Sequence, residues 1–147
     1  MILNFSRVRP DVTLPTRANP SDAGLDLFYC PEDDLSISLG PGETALFGTG
    51  IRLEIPHGYY LEIKNRSGNA YKRHLLVGAC VVDSGYSGEI FVNLNNVGTE
   101  TQIIDPGMKI AQGVLLASLH LRLREVSPEE LYSDNITISN RGDGALG

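Results

Sequence analysis

Clusters of polar residues and glycines interrupt the apolar pattern of this 147-residue chain, and they hold the side chains best suited to chemistry. Asn65–Ala70 (NRSGNA) places an arginine and a serine before a glycine. At a strand-to-helix junction, such an arginine and the first helical N–H groups can bind an oxyanion. The alternative is a serine that caps the helix beside a solvated arginine, and this segment alone leaves both interpretations open.

A second cluster combines an acid with an aromatic ring. Gly78–Glu89 (GACVVDSGYSGE) carries Asp83 and Tyr86 in a glycine-rich hairpin. A carboxylate held there could activate water, although a tight turn capped by aspartate is the commoner use of the pattern. An acid beside a glycine, as in Asp22–Leu27 (DAGLDL), usually marks a bulge or turn. Gln112, alone on an apolar strand, would usually face water.

Short strands joined by tight turns would position these clusters. Leu35–Leu39 and Ile51–Ile55 alternate apolar and polar residues with period two, which is typical of half-buried strands. No helical pattern of about 10–15 residues lies between the strands, so a sandwich or barrel is favoured over βαβ units. A short helix is predicted at Ser67–Arg73, and another is predicted to begin at Ser127. The further predicted strands are Tyr59–Lys64, Gly78–Val82, Glu89–Asn95 and Lys109–Leu123.

The composition predicts one acidic globular domain. The chain has 12 Lys+Arg against 18 Asp+Glu, a net charge of −6, and 41% apolar residues. This balance argues against a nucleic-acid coat, which needs an excess of positive charge, but a few arginines can still bind a small anion. Residues 1–139 form the predicted β domain, and the glycine-rich residues 140–147 form a tail.

Cysteine use and the first residues predict the compartment. Cys30 and Cys80 are the only cysteines, and they lack zinc-ligand spacing, so a reducing environment is expected. The start, MILNFSRVRPDV, lacks the apolar core of a signal peptide, and no apolar run approaches the roughly 18–20 residues of a membrane span. We therefore expect a cytoplasmic protein without a membrane or nucleic-acid partner.

The order of the polar clusters is more specific than any one of them. AGLDL, RSG followed by Ala and Lys, VVDxxYxGE, GxKIAQ and a terminal RGxxxxG follow one another along the chain. In this order and spacing they resemble the five motifs of the dUTPase family, and the resemblance covers nearly the whole chain. It implies an all-β fold, a jelly-roll-like distorted β-barrel with one short helix and a flexible C-terminal tail, assembled as a homotrimer.

The resemblance implies hydrolysis of dUTP to dUMP and diphosphate by Mg²⁺-dependent attack of water on the α-phosphorus. Asp83 matches the third-motif acid, which orients and activates the water, since aspartate is ionised at neutral pH. Asp26 of the first motif matches the residue tied to Mg²⁺ through water. Because Mg²⁺ keeps several waters and is held largely by phosphates, it would arrive with the nucleotide.

The remaining matched residues would bind the substrate. By resemblance, Tyr86 packs on the deoxyribose and leaves no room for a ribose hydroxyl, while the hairpin backbone reads uracil. Family members build each site from three subunits, and their tail closes over the nucleotide as a lid. The phosphates would meet Arg66, Ser67, Gly68, Gln112 and Arg141, the base would meet Cys80, Val81, Val82 and Phe91, and the lid would contribute Leu146 and Gly147.

The tail departs from the family pattern RGxxGFGSTG. Leu146 stands where a phenylalanine that stacks on uracil is expected, and Ala145 replaces a glycine. Leucine covers a base by apolar contact but does not stack as an aromatic ring does, so we expect a functional lid with weaker closure. Asn69 and Cys80 also replace residues that are typically leucine and glycine.

Two other functions remain open at this stage. A dCTP deaminase shares the fold and an Arg-Ser segment, but its members are longer and carry a differently placed catalytic glutamate. A nucleotide-binding regulator with reduced turnover is the non-enzymatic alternative, which the altered tail would suit. The products distinguish the enzymes, because deamination releases ammonia whereas hydrolysis of dUTP releases diphosphate.

Overall fold

The computed structural model describes residues 1–131 and 133, in which eleven strands and one helix follow one another. The tail 140–147, with Arg141, Leu146 and Gly147, lies outside the described residues. The elements are β1 (Phe5–Arg7), β2 (Leu25–Phe28), β3 (Ile37–Leu39), β4 (Thr44–Gly48), β5 (Ile51–Leu53), β6 (Tyr59–Lys64), α1 (Ser67–Arg73), β7 (Leu75–Val77), β8 (Val81–Asp83), β9 (Phe91–Asn96), β10 (Gln102–Ile104) and β11 (Lys109–Ala117).

The strands form four antiparallel sheets, which confirms the prediction of an all-β fold with one short helix. One sheet has four strands in the order β2-β11-β6-β8, and a second has three in the order β4-β9-β7. Two strand pairs, β1-β5 and β3-β10, complete the arrangement. β11 thus lies between β2 and β6, so segments far apart in sequence become neighbours.

One hydrophobic core fills the space between the sheets. Phe47 is fully buried, and the ring of Tyr29 packs edge-on against it with centroids 5.1 Å apart. Alternation along β6 turns Leu61 and Ile63 into the same core. Because these strands bury only alternate residues, their other side chains and their ends remain available to form a site.

Local signals place the central elements well. β6 and α1 have the predicted bounds, and four other predicted strands lie within three residues of theirs. α1 ends where His74 adopts a left-handed backbone conformation, with φ 53° and ψ 35°. The sequence prediction did not include five strands of three to five residues, which are β1, β2, β4, β7 and β10.

The last strand is shorter than predicted. β11 ends at Ala117, whereas the alternation predicted a strand to Leu123. Beyond Ala117 no strand of the described residues pairs with the chain, although the ring of His120 stacks on His57 with centroids 4.5 Å apart. The predicted inward-facing leucines are therefore 84%, 80% and 97% exposed, at Leu119, Leu121 and Leu123 respectively.

The helix predicted from Ser127 is a turn in the part of the chain that the structure describes. The Ser127 hydroxyl and carbonyl both accept a hydrogen bond from the Glu130 N–H, and no helix follows. Across residues 1–131 and 133, the longest helix has seven residues, and none has the length and apolarity for a membrane crossing.

Candidate active site

The strand register brings three of the five polar clusters together. Gln112 of β11 lies directly opposite Asp26 in β2 and Lys64 in β6. Lys64 is the last residue of β6 and leads through Arg66 into α1. We call the resulting group of side chains the charged corner, which consists of Asp26, Arg66, Lys109 and Gln112.

Two cations hold the carboxylate of the charged corner. Arg66 Nε donates to Asp26 Oδ1 at 2.9 Å, and Lys109 Nζ lies 2.7 Å from Asp26 Oδ2. Burial favours the neutral acid, but contact with the Lys109 ammonium and the charge of Arg66 outweigh it, so the pKa of Asp26 is lowered. The carboxylate therefore stays ionised, and the corner carries a net positive charge in a chain whose total is −6.

Gln112 is fastened to the second motif instead of simply facing water. Its Nε2 donates to the carbonyl of Asn65 at 2.9 Å. Gly24 leaves the room for this side chain, because a Cβ there would lie 2.4 Å from Gln112 Oε1. Gly24, the glycine of AGLDL, thus allows the first motif to pack against Gln112 of the fourth motif.

The beginning of α1 faces solvent beside the charged corner. Arg66 is the N-cap residue, and no side chain in the described part of the chain caps the helix, so the interpretation of Ser67 as a helix cap is wrong. Ser67 and Gly68 are exposed, and a Cβ at Gly68 would meet nothing within 4 Å. The first N–H groups of a helix have no partner within it, so they are available to an anion.

A separate cleft of about 230 Å³ lies between the arms of the third-motif hairpin. Asp83 is exposed at its edge, and among the described residues its carboxylate makes no ion pair. Tyr86 is half exposed, and its hydroxyl donates to the carbonyl of Glu89 at 2.8 Å. We call this the hairpin cleft, lined by Leu46, Ile63, Ala79, Cys80, Val81, Val82, Asp83, Tyr86, Glu89, Phe91 and Asn93.

The backbone of β8 offers hydrogen-bonding groups to the hairpin cleft. The Cys80 carbonyl accepts a hydrogen bond from the Ile63 N–H at 2.7 Å, so the backbone N–H and C=O of Cys80 point toward β6. Hydrogen-bonded and non-hydrogen-bonded pairs alternate in an antiparallel ladder. The backbone N–H and C=O of Val82 therefore also point toward β6, whereas those of Val81 point to the open edge of the sheet. The Cys80 side chain packs partly against the core.

Asp83 and the charged corner lie at opposite ends of β6. Asp83 pairs with Tyr60, whereas Gln112 pairs with Lys64. Four residues of strand separate these positions by about 13 Å, at roughly 3.3 Å per residue. One chain therefore brings Asp26, Arg66 and Gln112 together but does not bring Asp83 to them.

Sequence reasoning missed one member of the charged corner. Lys109 belongs to the GxKIAQ pattern, but its position in the sequence does not indicate which residue it contacts. Its contact with Asp26 arises from a register shift of β11 between Lys109 and Ala111, opposite β2. Such a shift has no signal in a single sequence, apart from the lysine within an otherwise apolar strand.

The described residues contain no preformed metal cage. Across 1–131 and 133, no group of three or more His, Cys, Asp and Glu side chains is placed to hold a metal ion. Both carboxylate oxygens of Asp26 already contact cations. These donors fit a metal that a ligand's phosphates hold and that one carboxylate meets through water.

Comparison with known proteins shows one family. The dUTPase family model matches residues 10–144. The deoxyuridine 5'-triphosphate nucleotidohydrolase of Chlamydia trachomatis serovar L2 is 37% identical over 145 residues, which cover 97% of this chain and 94% of the relative. The protein of the same name from Rhizobium etli is 39% identical over 116 residues, 78% of this chain and 74% of the relative.

Solved structures show the same relationship in three dimensions. The dUTPase from phage phi11 of S. aureus is similar with a TM-score of 0.80 at 25% identity, over 89% of this chain and 99% of that one. A mutant of the same phage enzyme, described for its coordination of a structural Mg(II) ion, has a TM-score of 0.79 at 25% identity, over 88% and 99%.

Proposed function

This chain belongs to the dUTPase family, and on that premise we propose how its own residues hydrolyse dUTP to dUMP and diphosphate. Its all-β fold with one short helix is the jelly roll of its dUTPase structural neighbours. The observation that carries the proposal is the charged corner, a net positive group beside the open start of α1 in a chain of net charge −6. That combination suits an anionic chain of phosphates.

The charged corner binds the phosphates. Arg66 is held by Asp26 through Nε, which leaves its terminal N–H groups to donate to phosphate oxygens. Ser67 and Gly68 add exposed groups of the first helical turn, and Gln112 lies beside them. These donors would stabilise the negative charge that develops on the leaving diphosphate.

The hairpin cleft binds the nucleoside. Val81 presents its backbone N–H and C=O to uracil. The backbone groups of Cys80 and Val82 pair with β6 instead and hold the strand in place. Phe91 closes the other side of the cleft by apolar contact. Tyr86 packs on the deoxyribose, and a ribose hydroxyl would clash with its ring.

Asp83 acts as the base for the attacking water. Its carboxylate is exposed at the edge of the hairpin cleft, on the last residue of β8, the strand that reads the base. In that position it orients the water and takes its proton as the water oxygen bonds to the α-phosphorus, while the bond from that phosphorus to the oxygen that bridges to the β-phosphorus breaks and diphosphate leaves. The proton transfer requires that the carboxylate lie within hydrogen-bond reach of the water, so the geometry of the hairpin is decisive.

Asp26 is the residue that would hold Mg²⁺ through a bound water, because its two oxygens are occupied by Arg66 and Lys109. The metal, when bound with the nucleotide, supplies positive charge to the phosphate oxygens. Arg66 and Lys109 supply the remaining charge on the protein side.

Complete sites require more than one copy of this chain, and we propose the homotrimer of the family. The separation of about 13 Å along β6 keeps Asp83 away from Arg66 in one chain. The exposed leucines after β11 are suited to contact with a second copy. The tail 140–147, with Arg141 on the γ-phosphate and Leu146 and Gly147 over the base, closes the site as a lid.

The cytoplasmic location is part of the same proposal. Cys30 and Cys80 form no disulfide among the described residues. Reduced thiols are usual in the cytoplasm.

A substrate panel tests the proposed function. The protein is incubated with dUTP, UTP, dTTP and dCTP in the presence of Mg²⁺, and release of diphosphate and ammonia is measured. We expect diphosphate from dUTP alone, and at least a hundredfold loss of kcat in Asp83→Asn, since a general base contributes about 10²–10⁴. Ammonia from dCTP would support the deaminase alternative, and nucleotide binding without turnover would support the regulator. Comparable turnover of UTP would contradict the role of Tyr86.

A further inference from the structure

An ion pair outside the proposed catalytic and binding residues fastens the third-motif hairpin to the N-terminal segment. Arg9 Nη2 lies 3.1 Å from Glu89 Oε1, and the two residues are 80 positions apart in the sequence. The same Nη2 donates to the carbonyl of Cys30. Both charged side chains are largely buried, with 21% and 13% of their surface exposed. A pair held this way is screened little by solvent and has a defined geometry.

Two glycines at the turn between β4 and β5 make room for the Glu89 carboxylate and bind it. The N–H of Gly50 donates to Glu89 Oε1 at 2.6 Å. A Cβ at Gly48 would lie 2.7 Å from the same oxygen, so only glycine leaves it room. Gly50 has a φ of +71°, which orients its N–H and which other residues rarely adopt. Arg9, Gly48 and Gly50 therefore form a receptor for one carboxylate.

Glu89 connects this receptor to the ring of Tyr86. Its backbone carbonyl accepts the Tyr86 hydroxyl at 2.8 Å. The next residue, Ile90, is fully buried and donates its N–H to the Ile51 carbonyl at 2.8 Å. The Thr49 hydroxyl donates to the Ile90 carbonyl at 2.8 Å. The side chain of Glu89 and the backbone of Ile90 thus fix this segment against the core. The Glu89 carbonyl in turn positions the Tyr86 hydroxyl.

We propose that Arg9 and Glu89 are positioning residues that fix the ring of Tyr86 and thereby determine the discrimination between deoxyribose and ribose. This inference rests on the function proposed above. Discrimination by shape depends on a ring that does not move, since a small tilt makes room for one hydroxyl. When either partner of the pair is removed, the other is left without its charge partner. Removal of the Glu89 side chain also breaks the bond from the Gly50 N–H, so the loop 86–89 loses its side-chain attachment to the turn between β4 and β5.

The test compares kcat/KM for dUTP and UTP in the wild type, Glu89→Gln, Glu89→Ala, Arg9→Lys and Tyr86→Phe. We expect the dUTP/UTP ratio to fall about tenfold in Glu89→Ala and Tyr86→Phe, mostly through faster UTP turnover. Glu89→Gln and Arg9→Lys keep part of the hydrogen bonding and should lie between these variants and the wild type. Glu54→Gln is the matched control, because it removes the charge of an exposed carboxylate whose side-chain partner within residues 1–131 and 133 is Asn4 alone. Its ratio should equal that of the wild type.

The outcomes separate the two proposals. An unchanged ratio in Glu89→Ala, with lower stability or lower activity on both nucleotides, would reduce the pair to a structural role and overturn the inference. If Glu89→Ala does not fold, Glu89→Gln decides the question, because it removes the charge and keeps the size of the side chain. A wild type that does not hydrolyse dUTP overturns the proposed function itself, and the inference with it.

Discussion

Asp26 sets the geometry of the charged corner at the scale of a single residue. Its carboxylate holds Arg66 and Lys109 on opposite oxygens while being almost completely buried. Burial favours the neutral acid, yet the two cations lower the pKa below the ordinary value of 3.8. A lowered folded-state pKa means that the carboxylate stabilises the fold at pH values above 3.8, and that this stabilisation is lost as the pH falls through the lowered pKa.

We therefore expect Asp26→Asn to lose about 1–3 kcal/mol of unfolding free energy at neutral pH, because two cations then lack their carboxylate. The difference from the wild type should narrow as the pH falls below 3.8. Urea unfolding with a chelator present, at neutral and strongly acidic pH, measures both values. Asp11→Asn, at an exposed position, is the control and should change little. A difference that does not depend on pH would contradict an electrostatic origin.

At the scale of elements, α1 and β11 depend on each other through Asn69. The register shift in β11 turns the carbonyls of Lys109 and Ile110 out of the regular ladder. Asn69 is a buried helix residue, and its Nδ2 donates to both carbonyls, at 2.9 and 3.2 Å. A leucine, which is typical of the family here, lacks such a donor. The asparagine thus helps to place Lys109 beside Asp26.

Replacing this asparagine should loosen the contact between the two elements. We expect Asn69→Leu to lower the free energy of unfolding by about 1–3 kcal/mol, because two buried carbonyls lose their donor. The KM for dUTP should rise as well, since Lys109 loses its support. Chemical denaturation and steady-state kinetics measure the two effects. Asn4→Leu, at an exposed position, should change stability by no more than about 0.5 kcal/mol. Unchanged stability in Asn69→Leu would contradict the role of the bulge.

At the scale of the whole molecule, the separation of Asp83 from Arg66 predicts complementation between defective chains. Asp83→Asn and Arg66→Ala should each be nearly inactive alone. When the two are co-expressed in equal amounts, about a quarter of the sites in random trimers combine both intact residues, so about a quarter of the wild-type activity should return. Activity of the mixture is measured against each variant purified in the same way. A mixture no more active than the variants alone would show that one chain supplies both residues.

Local patterns were sufficient for the elements that carry most of the site. The alternation of β6 and the Arg-Ser-Gly junction before α1 predicted their bounds, because both signals lie within a few residues. The same kind of alternation predicted that β11 extends to Leu123, whereas it ends at Ala117. Alternation indicates which side of a strand would be buried, but it does not show whether a partner strand is present. The helix expected from Ser127 is a turn for a similar reason, because a capping residue does not supply a buried face.

The sequence by itself determined the all-β class and the order of the motifs, and with them the family. It assigned Asp26, Arg66 and Gln112 to a shared site, but it gave no role to Lys109, Arg9 or Glu89. Only the tertiary structure decided that Lys109 pairs with Asp26, that Arg9 pairs with Glu89, and that Asp83 lies far along β6 from the charged corner. The physical reason is that strand register and ion pairing join residues across tens of positions. Packing of the common core selects those contacts, and local propensity does not encode them.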